Sequence, residues 1–148
     1  MAQIEIKRVT LQMLSDIADI ERECFSSPWS ESGLEMLLGD SAVGFAAFCE
    51  ERLVGYVGMM TVLDEGQITN VAVRGDFRRK GCAKALLCAL EEYARENGIV
   101  FLSLEVRRSN EAARGLYLAD GWRDAGVRRN FYSLPTEDAI VMTKTLEK

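Results

Sequence analysis

Apolar and polar positions change period several times along the chain. Ile4-Glu5-Ile6-Lys7-Arg8-Val9 alternates with period two, the pattern of a half-buried strand. Leu14, Ile17, Ile20 and Cys24 then recur every three or four residues, which predicts a helix with Thr10 ahead of it as cap. Pro28-Trp29 breaks the chain, and Ser30 is the expected cap of a short helix through Leu38. Val43 to Cys49 and Leu53 to Val62 are apolar and rich in β-branched or aromatic residues. With the charged Glu50-Glu51-Arg52 between them, they read as a hairpin, and Gln67 to Val73 makes another strand. From Gly81 the period returns to that of a helix: Ala83, Leu86, Leu87, Leu90 and Ala94 form one stripe, and Asn97-Gly98 ends it. A strand from Val100 to Val106 follows, then a helix from about Asn110 to Asp120 stopped by Gly121. Trp122 to Phe131 and Ala139 to Thr145 supply the last strands. The order β-α-α-β-β-β-α-β-α-β-β predicts an α/β (α+β) fold, a mixed sheet with helices on its faces.

Composition bounds this picture. At 148 residues, without repeat or linker-like tract, the expectation is a single domain spanning 1–148. Hydrophobic content of 48% beside 28% charged residues is that of a globular chain. The amino terminus carries no apolar leader and no membrane-length apolar run occurs, so a soluble, cytoplasmic protein is expected, with no membrane partner. The net charge of −5 argues against direct nucleic-acid binding; it suits a basic partner, or simply solubility. No histidine is present, which excludes His-based triads, His-ligated metals and any imidazole base. Cys24, Cys49, Cys82 and Cys88 form no C-x-x-C pair and read as small buried hydrophobes in a reducing compartment, with no metal site expected.

Chemistry concentrates between Val71 and Lys84. A strand, Val71-Ala72-Val73, runs into a basic turn that opens directly into the long helix. The first amides of a helix have no partners within it, and with the helix dipole they attract an anion such as a pyrophosphate. Gly81 and Ala83 keep that surface bare, and Arg78, Arg79, Lys80 and Lys84 add positive charge. Gly75 and Gly81 are one residue too far apart for a Walker A loop, and no G-x-G-x-x-G occurs. Arg78-Arg79-Lys80-Gly81-Cys82-Ala83 does fit [QR]-x-x-G-x-[GA], although Arg-Arg-Lys also suits a solvated helix start.

With that turn the chain resembles the GCN5-related N-acetyltransferase (GNAT) superfamily, and within it the RimI-type ribosomal-protein N-terminal-alanine acetyltransferases. The matching pieces run in order through nearly the whole chain. They are Cys24-Phe25 with Pro28-Trp29-Ser30-Glu31, Asp64-Glu65, Asn70 to Val73, Arg78 to Ala83, Leu104 to Asn110, Leu116-Tyr117 with Gly121-Trp122, Arg129 to Tyr132, and Glu137-Asp138-Ala139. The resemblance implies a mixed sheet of about six to seven strands flanked by about four helices, splayed at the cofactor site. It further implies acetyl-coenzyme A as cosubstrate. Val71, Ala72 and Val73 would pair by backbone with the pantetheine arm, and the backbone of Arg79, Lys80, Gly81, Cys82, Ala83 and Lys84 would hold the pyrophosphate. Asn110 would contact the cofactor, although Ser109-Asn110 is also a good helix cap.

The acceptor implied is the α-amine of the N-terminal alanine of a basic small-subunit ribosomal protein. Glu105 matches the general base, although it also suits the solvent-facing side of an alternating strand. A glutamate at its ordinary pKa of about 4.3 would need burial or a water relay for this task. Tyr117 matches the general acid for the leaving thiolate; by pattern alone it anchors its helix to the sheet. No acyl-enzyme is required, although Cys82 at a helix start is placed for a lowered thiol pKa. Asp64, Glu65, Glu137 and Asp138 are expected in loops that attract a basic acceptor, and Tyr132 either lines the peptide groove or closes the last hairpin. Gly33, Gly115, Trp122 and Ser133 to Thr136 depart from the family pattern on the peptide side. The alternatives are an acetyltransferase of this fold for lysine side chains or small amines, and a non-catalytic acyl-coenzyme A-binding domain.

Overall fold

A computed structural model describes residues 3–146. The reading of the amino terminus as free of a leader begins at Met1 and Ala2, outside the described residues. The elements follow the predicted order: β1 (Ile4–Arg8), α1 (Leu14–Cys24), α2 (Glu31–Leu34), β2 (Ala42–Cys49), β3 (Arg52–Val62), β4 (Glu65–Val73), α3 (Cys82–Glu96), β5 (Phe101–Arg107), α4 (Glu111–Ala119), β6 (Arg123–Tyr132) and β7 (Glu137–Thr145). Among the described residues, no helix is long and apolar enough to cross a membrane.

One mixed seven-stranded sheet carries the fold, in the order β1-β2-β3-β4-β5-β7-β6. β1 to β4 form an antiparallel meander, and β7 lies between β5 and β6, antiparallel to both. β4 and β5 are the parallel pair, joined by the crossover helix α3. Each face buries its own cluster. Leu14, Ile17, Ile20 and Leu34 pack with Ala46, Tyr56 and Ala72 on one side; Leu86, Leu87, Leu90 and Tyr117 pack with Val57, Leu102, Leu104, Val106 and Met142 on the other.

The predicted stripe of α3 is the buried one, with Leu86, Leu87, Leu90 and Ala94 at or below 1% exposure and Ala83 partly covered. Its end is a glycine stop: Gly98 takes φ +76°, and the Ile99 amide returns to the Ala94 carbonyl at 2.9 Å. Ser30 caps α2, accepting from the Gly33 amide at 3.0 Å, and a 3-10 turn carries the chain on to Leu38. Two local expectations fail. Thr10 precedes a 3-10 turn, Leu11–Met13, and its side chain makes no capping bond; α1 starts behind that turn, at Leu14. Cys49 and Cys82 are buried, but Cys24 is only partly so and Cys88 is exposed, because it falls on the solvent side of the α3 stripe.

Candidate active site

β4 and β5 pair over only three residues each, Glu65 to Gln67 against Phe101 to Ser103. Directly beyond, Asn70 faces Gly58 while Ile68 faces Met59, so Thr69 has no partner on β3. Such a bulge bends its strand, and β4 leaves β5 there. The two strands run on to Val73 and Arg107 with a wedge between them.

Alternation decides what β4 offers to the wedge. The Arg74 amide bonds the Val54 carbonyl of β3 at 2.8 Å. Two residues back, Ala72 likewise turns its backbone to β3, and its methyl packs in the α1 cluster. Val71 and Val73 therefore direct their amides and carbonyls to the wedge. The Val73 carbonyl already accepts from Cys24 Sγ at 3.4 Å and Arg78 Nε at 3.1 Å.

The basic turn opens where β4 ends. Arg79 has φ +63° and Gly81 φ +87°, a region that costs a side chain strain. Among the described residues, no acceptor meets the backbone amides of Arg79, Lys80, Gly81, Cys82, Ala83 and Lys84; the first amide bonded is that of Ala85, to the Gly81 carbonyl at 3.0 Å. A Cβ built on Gly81 would meet nothing within 4 Å, so the cradle is open. Six amides at the positive end of a 15-residue helix, flanked by exposed Arg79, Lys80 and Lys84, fit a diphosphate. Arg78, exposed as well, turns its guanidinium back on the chain instead, Nε donating to the Val73 carbonyl and Nη2 to Cys24 Sγ. The Cys82 thiol is pushed up by burial, with Cys49 beside it, against the lowering expected at a helix start.

A cleft of about 560 Å³ fills the wedge and brings Val71, Glu105, Asn110, Tyr117 and Tyr132 to one space. Leu102, Leu104 and Val106 of β5 point to the α3 side, so Glu105 emerges on the opposite face, half-buried. Gln67 Nε2 donates to its carboxylate at 3.3 Å. Tyr117 enters from α4 on the other face, 6% exposed, its ring 5.9 Å from that of Trp122. Burial, then the neighbouring Tyr132, raises its phenol well above the ordinary value. Tyr132 is pushed up to about 12 by burial and by the charge of Glu105. Asn110 performs the capping role, its Oδ1 accepting from the Ala113 amide at 3.2 Å. Among the described residues, its Nδ2 meets no acceptor and is free for a ligand.

The acidic residues expected in loops are arranged differently. Glu65 opens β4, and Glu137 and Asp138 open β7, at opposite ends of β5 and about 20 Å apart. Asp64 alone lies in a turn. Glu137 is held by the Ser109 amide at 2.6 Å and by Arg107 at 3.2 Å, bonds that lower its pKa; Asp138 accepts from the Asn130 amide at 2.9 Å. These pairings leave no single acidic patch.

Sequence reasoning missed a polar node behind the cleft. Glu21, fully buried, accepts from the Trp29 amide at 2.8 Å, from Asn70 Nδ2 at 2.8 Å and from the Tyr56 hydroxyl. Its carboxyl is raised by burial, which outweighs those three bonds. The available signal was its position on the α1 stripe, three residues after Ala18 and four after Ile17.

Comparison with known proteins gives the family and the fold. The acetyltransferase (GNAT) family model matches residues 14–122. A putative ribosomal protein bS18-alanine N-acetyltransferase of Bacillus subtilis is 32% identical over 97% of this chain and 96% of its own. The bS18-alanine N-acetyltransferase of Salmonella typhimurium is 38% identical over 83% of this chain and 84% of its own. The crystal structure of the Escherichia coli ribosomal-protein-S18-alanine N-acetyltransferase superposes with a TM-score of 0.92 at 32% identity, covering 99% of this chain and 96% of that one.

Proposed function

The chain belongs to the GNAT family of acetyltransferases, and on that premise we propose that it transfers acetyl from acetyl-coenzyme A to the α-amine of an N-terminal alanine of a ribosomal protein, the bS18 type named in its relatives. The same reading makes it a cytoplasmic enzyme, since that is where such an acceptor is made.

When bound, acetyl-coenzyme A supplies a thioester whose carbonyl carbon is open to an amine, with a thiolate as leaving group. The amides of Arg79 to Lys84 would hold its diphosphate, and the free edge of Val71 with the Val73 amide would hold the arm. Asn110 Nδ2 adds one donor at the start of α4. Glu105 accepts the proton that an α-ammonium must lose before it attacks, directly or through one water. Tyr117 holds a proton for the departing sulfur, and its raised pKa keeps that proton in place.

The observation that carries the reading is the carboxylate of Glu105 and the phenol of Tyr117 meeting in one cleft from opposite faces of a split sheet. The test is intact-mass analysis of a bS18-type peptide beginning with Ala, incubated with enzyme and acetyl-coenzyme A. One acetyl group on the α-amine is the expected product. Glu105→Gln should lower kcat by about 10²–10⁴-fold with the KM for acetyl-coenzyme A nearly unchanged, and Tyr117→Phe should also lower kcat. Acetylation of lysine side chains or free polyamines in preference to the α-amine would replace this acceptor with another. Tight cofactor binding without turnover on any amine would make the chain a binding domain.

A further inference from the structure

We propose that Arg107 is the positioning residue for the acceptor peptide, a single guanidinium that fixes both loops bordering the acceptor side of the cleft. The inference rests on the acceptor reading above.

Glu105 faces away from α3 and α4, so a peptide reaches it from the α1 side. Two irregular segments border that approach. The one after α1 contributes Phe25, Ser26, Ser27 and Trp29 to the cleft walls; the other contributes Tyr132 and Ser133 from the end of β6. The first is tied back to α1 by the Trp29 amide on Glu21, and the second leaves the sheet at the Tyr132–Glu137 pair. Arg107, two residues along β5 from Glu105, stands between them.

Its contacts reach both. Nη2 donates to Ser26 Oγ at 3.3 Å and to the Ser133 carbonyl at 3.0 Å. Nη1 donates to the Pro135 carbonyl at 3.0 Å and to Glu137 Oε1 at 3.2 Å. The Tyr132 ring lies over the guanidinium, 4.5 Å from Cζ to its centroid, and Ser26 Oγ donates to the Ser133 carbonyl at 3.2 Å, closing the joint. The side chain is 25% exposed, so these bonds are partly shielded from water. Glu137 extends the joint by accepting from the Ser109 amide, the residue before the Asn110 cap of α4.

This geometry requires arginine. A planar fork donates in two fixed directions and stacks on an aromatic ring at once; a lysine ammonium keeps the charge but not the fork. Arg107 touches no reacting atom in this arrangement. It sets the spacing between the walls that an extended peptide must pass, and it holds Tyr132 against the cleft.

The experiment compares two acceptors, an Ala-starting peptide and alanine amide, which is short enough to reach Glu105 without spanning the loops. Arg107→Lys should raise the KM for the peptide roughly tenfold, or about 1.4 kcal/mol. Its KM for acetyl-coenzyme A and its rate with alanine amide should stay within about twofold of wild type. Ser26→Ala, which removes one tie and leaves the fold alone, should raise the peptide KM by a smaller factor in the same direction. Equal losses on both acceptors, or a joint rise in both KM values, would overturn the assignment, as would an unchanged peptide KM in both variants. A wild-type enzyme that turns over alanine amide but not the peptide would overturn the acceptor reading and this proposal with it.

Discussion

A phenol of ordinary pKa, about 10, keeps its proton at neutral pH but begins to lose it in mildly alkaline buffer. Tyr117 is held above that value because the protein covers it and Tyr132 stands beside it, so its proton survives further into alkali. The acceptor amine works the other way: its pKa of about 7.7–8.0 makes it more nucleophilic as pH rises. The kcat/KM for an Ala-starting peptide should therefore climb through about pH 8 and hold a plateau to about pH 10. Tyr117→Phe should lower the plateau without changing where it begins. A wild-type decline centred between about pH 8.5 and 10 would mean that the group lost there is an ordinary phenol or thiol, not this one. The carboxylates divide by the same reasoning. Glu21 is sealed by three donors and has no opening to a substrate, whereas Glu105 has Gln67 on one side and the cleft on the other.

Among the elements, α4 carries Tyr117 and is capped by Asn110, and its interior holds Gly115. A Cβ built on Gly115 meets nothing within 4 Å and its φ is not positive, so nothing in the packing requires glycine there. Gly115→Ala should add about 0.5–1 kcal/mol, a rise in Tm of about 1–4 °C, with kcat retained. A fall in Tm would show that the α4 backbone at Gly115 does not accept a side chain, against the open space around it. α4 also marks how far the sequence could be read. Its start, its end and the stripe of α3 were legible because caps, glycine stops and a 3.6-residue period act locally, within a few residues. The basic turn before α3 was legible for the same reason, as a strand, a basic turn and a helix in succession. The wedge was implied only by resemblance: it depends on Thr69 lacking a partner on β3, which no local pattern encodes. The pairing of Glu137 with Ser109 and Arg107 was hidden likewise, because 28 and 30 residues separate the partners and only the β5–β7 register brings them together.

At the scale of the whole molecule, the layer that carries the loop amides and Tyr117 is fastened to the sheet through Lys144. From β7, its Nζ donates to Glu91 Oε1 of α3 at 2.7 Å and to both the carbonyl and the side chain of Asp120 at the end of α4. Glu91 is 4% exposed and its other oxygen, Oε2, has no partner among the described residues. Burial, with Asp120 nearby, pushes its carboxyl up to about 7. An acid whose pKa is raised by folding binds more protons folded than unfolded, so stability falls as pH rises from its unfolded value of 4.5 towards 7. Below that window Glu91 is protonated in both states, and above it the folded protein carries a buried charge. Glu91→Gln keeps the shape and removes the titration. The variant should match wild type near pH 4.5 and be the more stable of the two at pH 8, by an amount on the order of 1 kcal/mol, or about 2–4 °C in Tm. Taking the difference between the two proteins at each pH cancels the titrating groups that do not touch Glu91, including Glu21, whose raised carboxyl gives a slope of the same sign; Asp120 and Lys144, bonded to this node, are part of what the difference reads. Calorimetric melts of both across that range decide it. A constant difference would mean that folding leaves the Glu91 pKa unshifted, Lys144 fully offsetting its burial; a variant less stable at pH 8 would make the ion pair a net tie between helices and sheet.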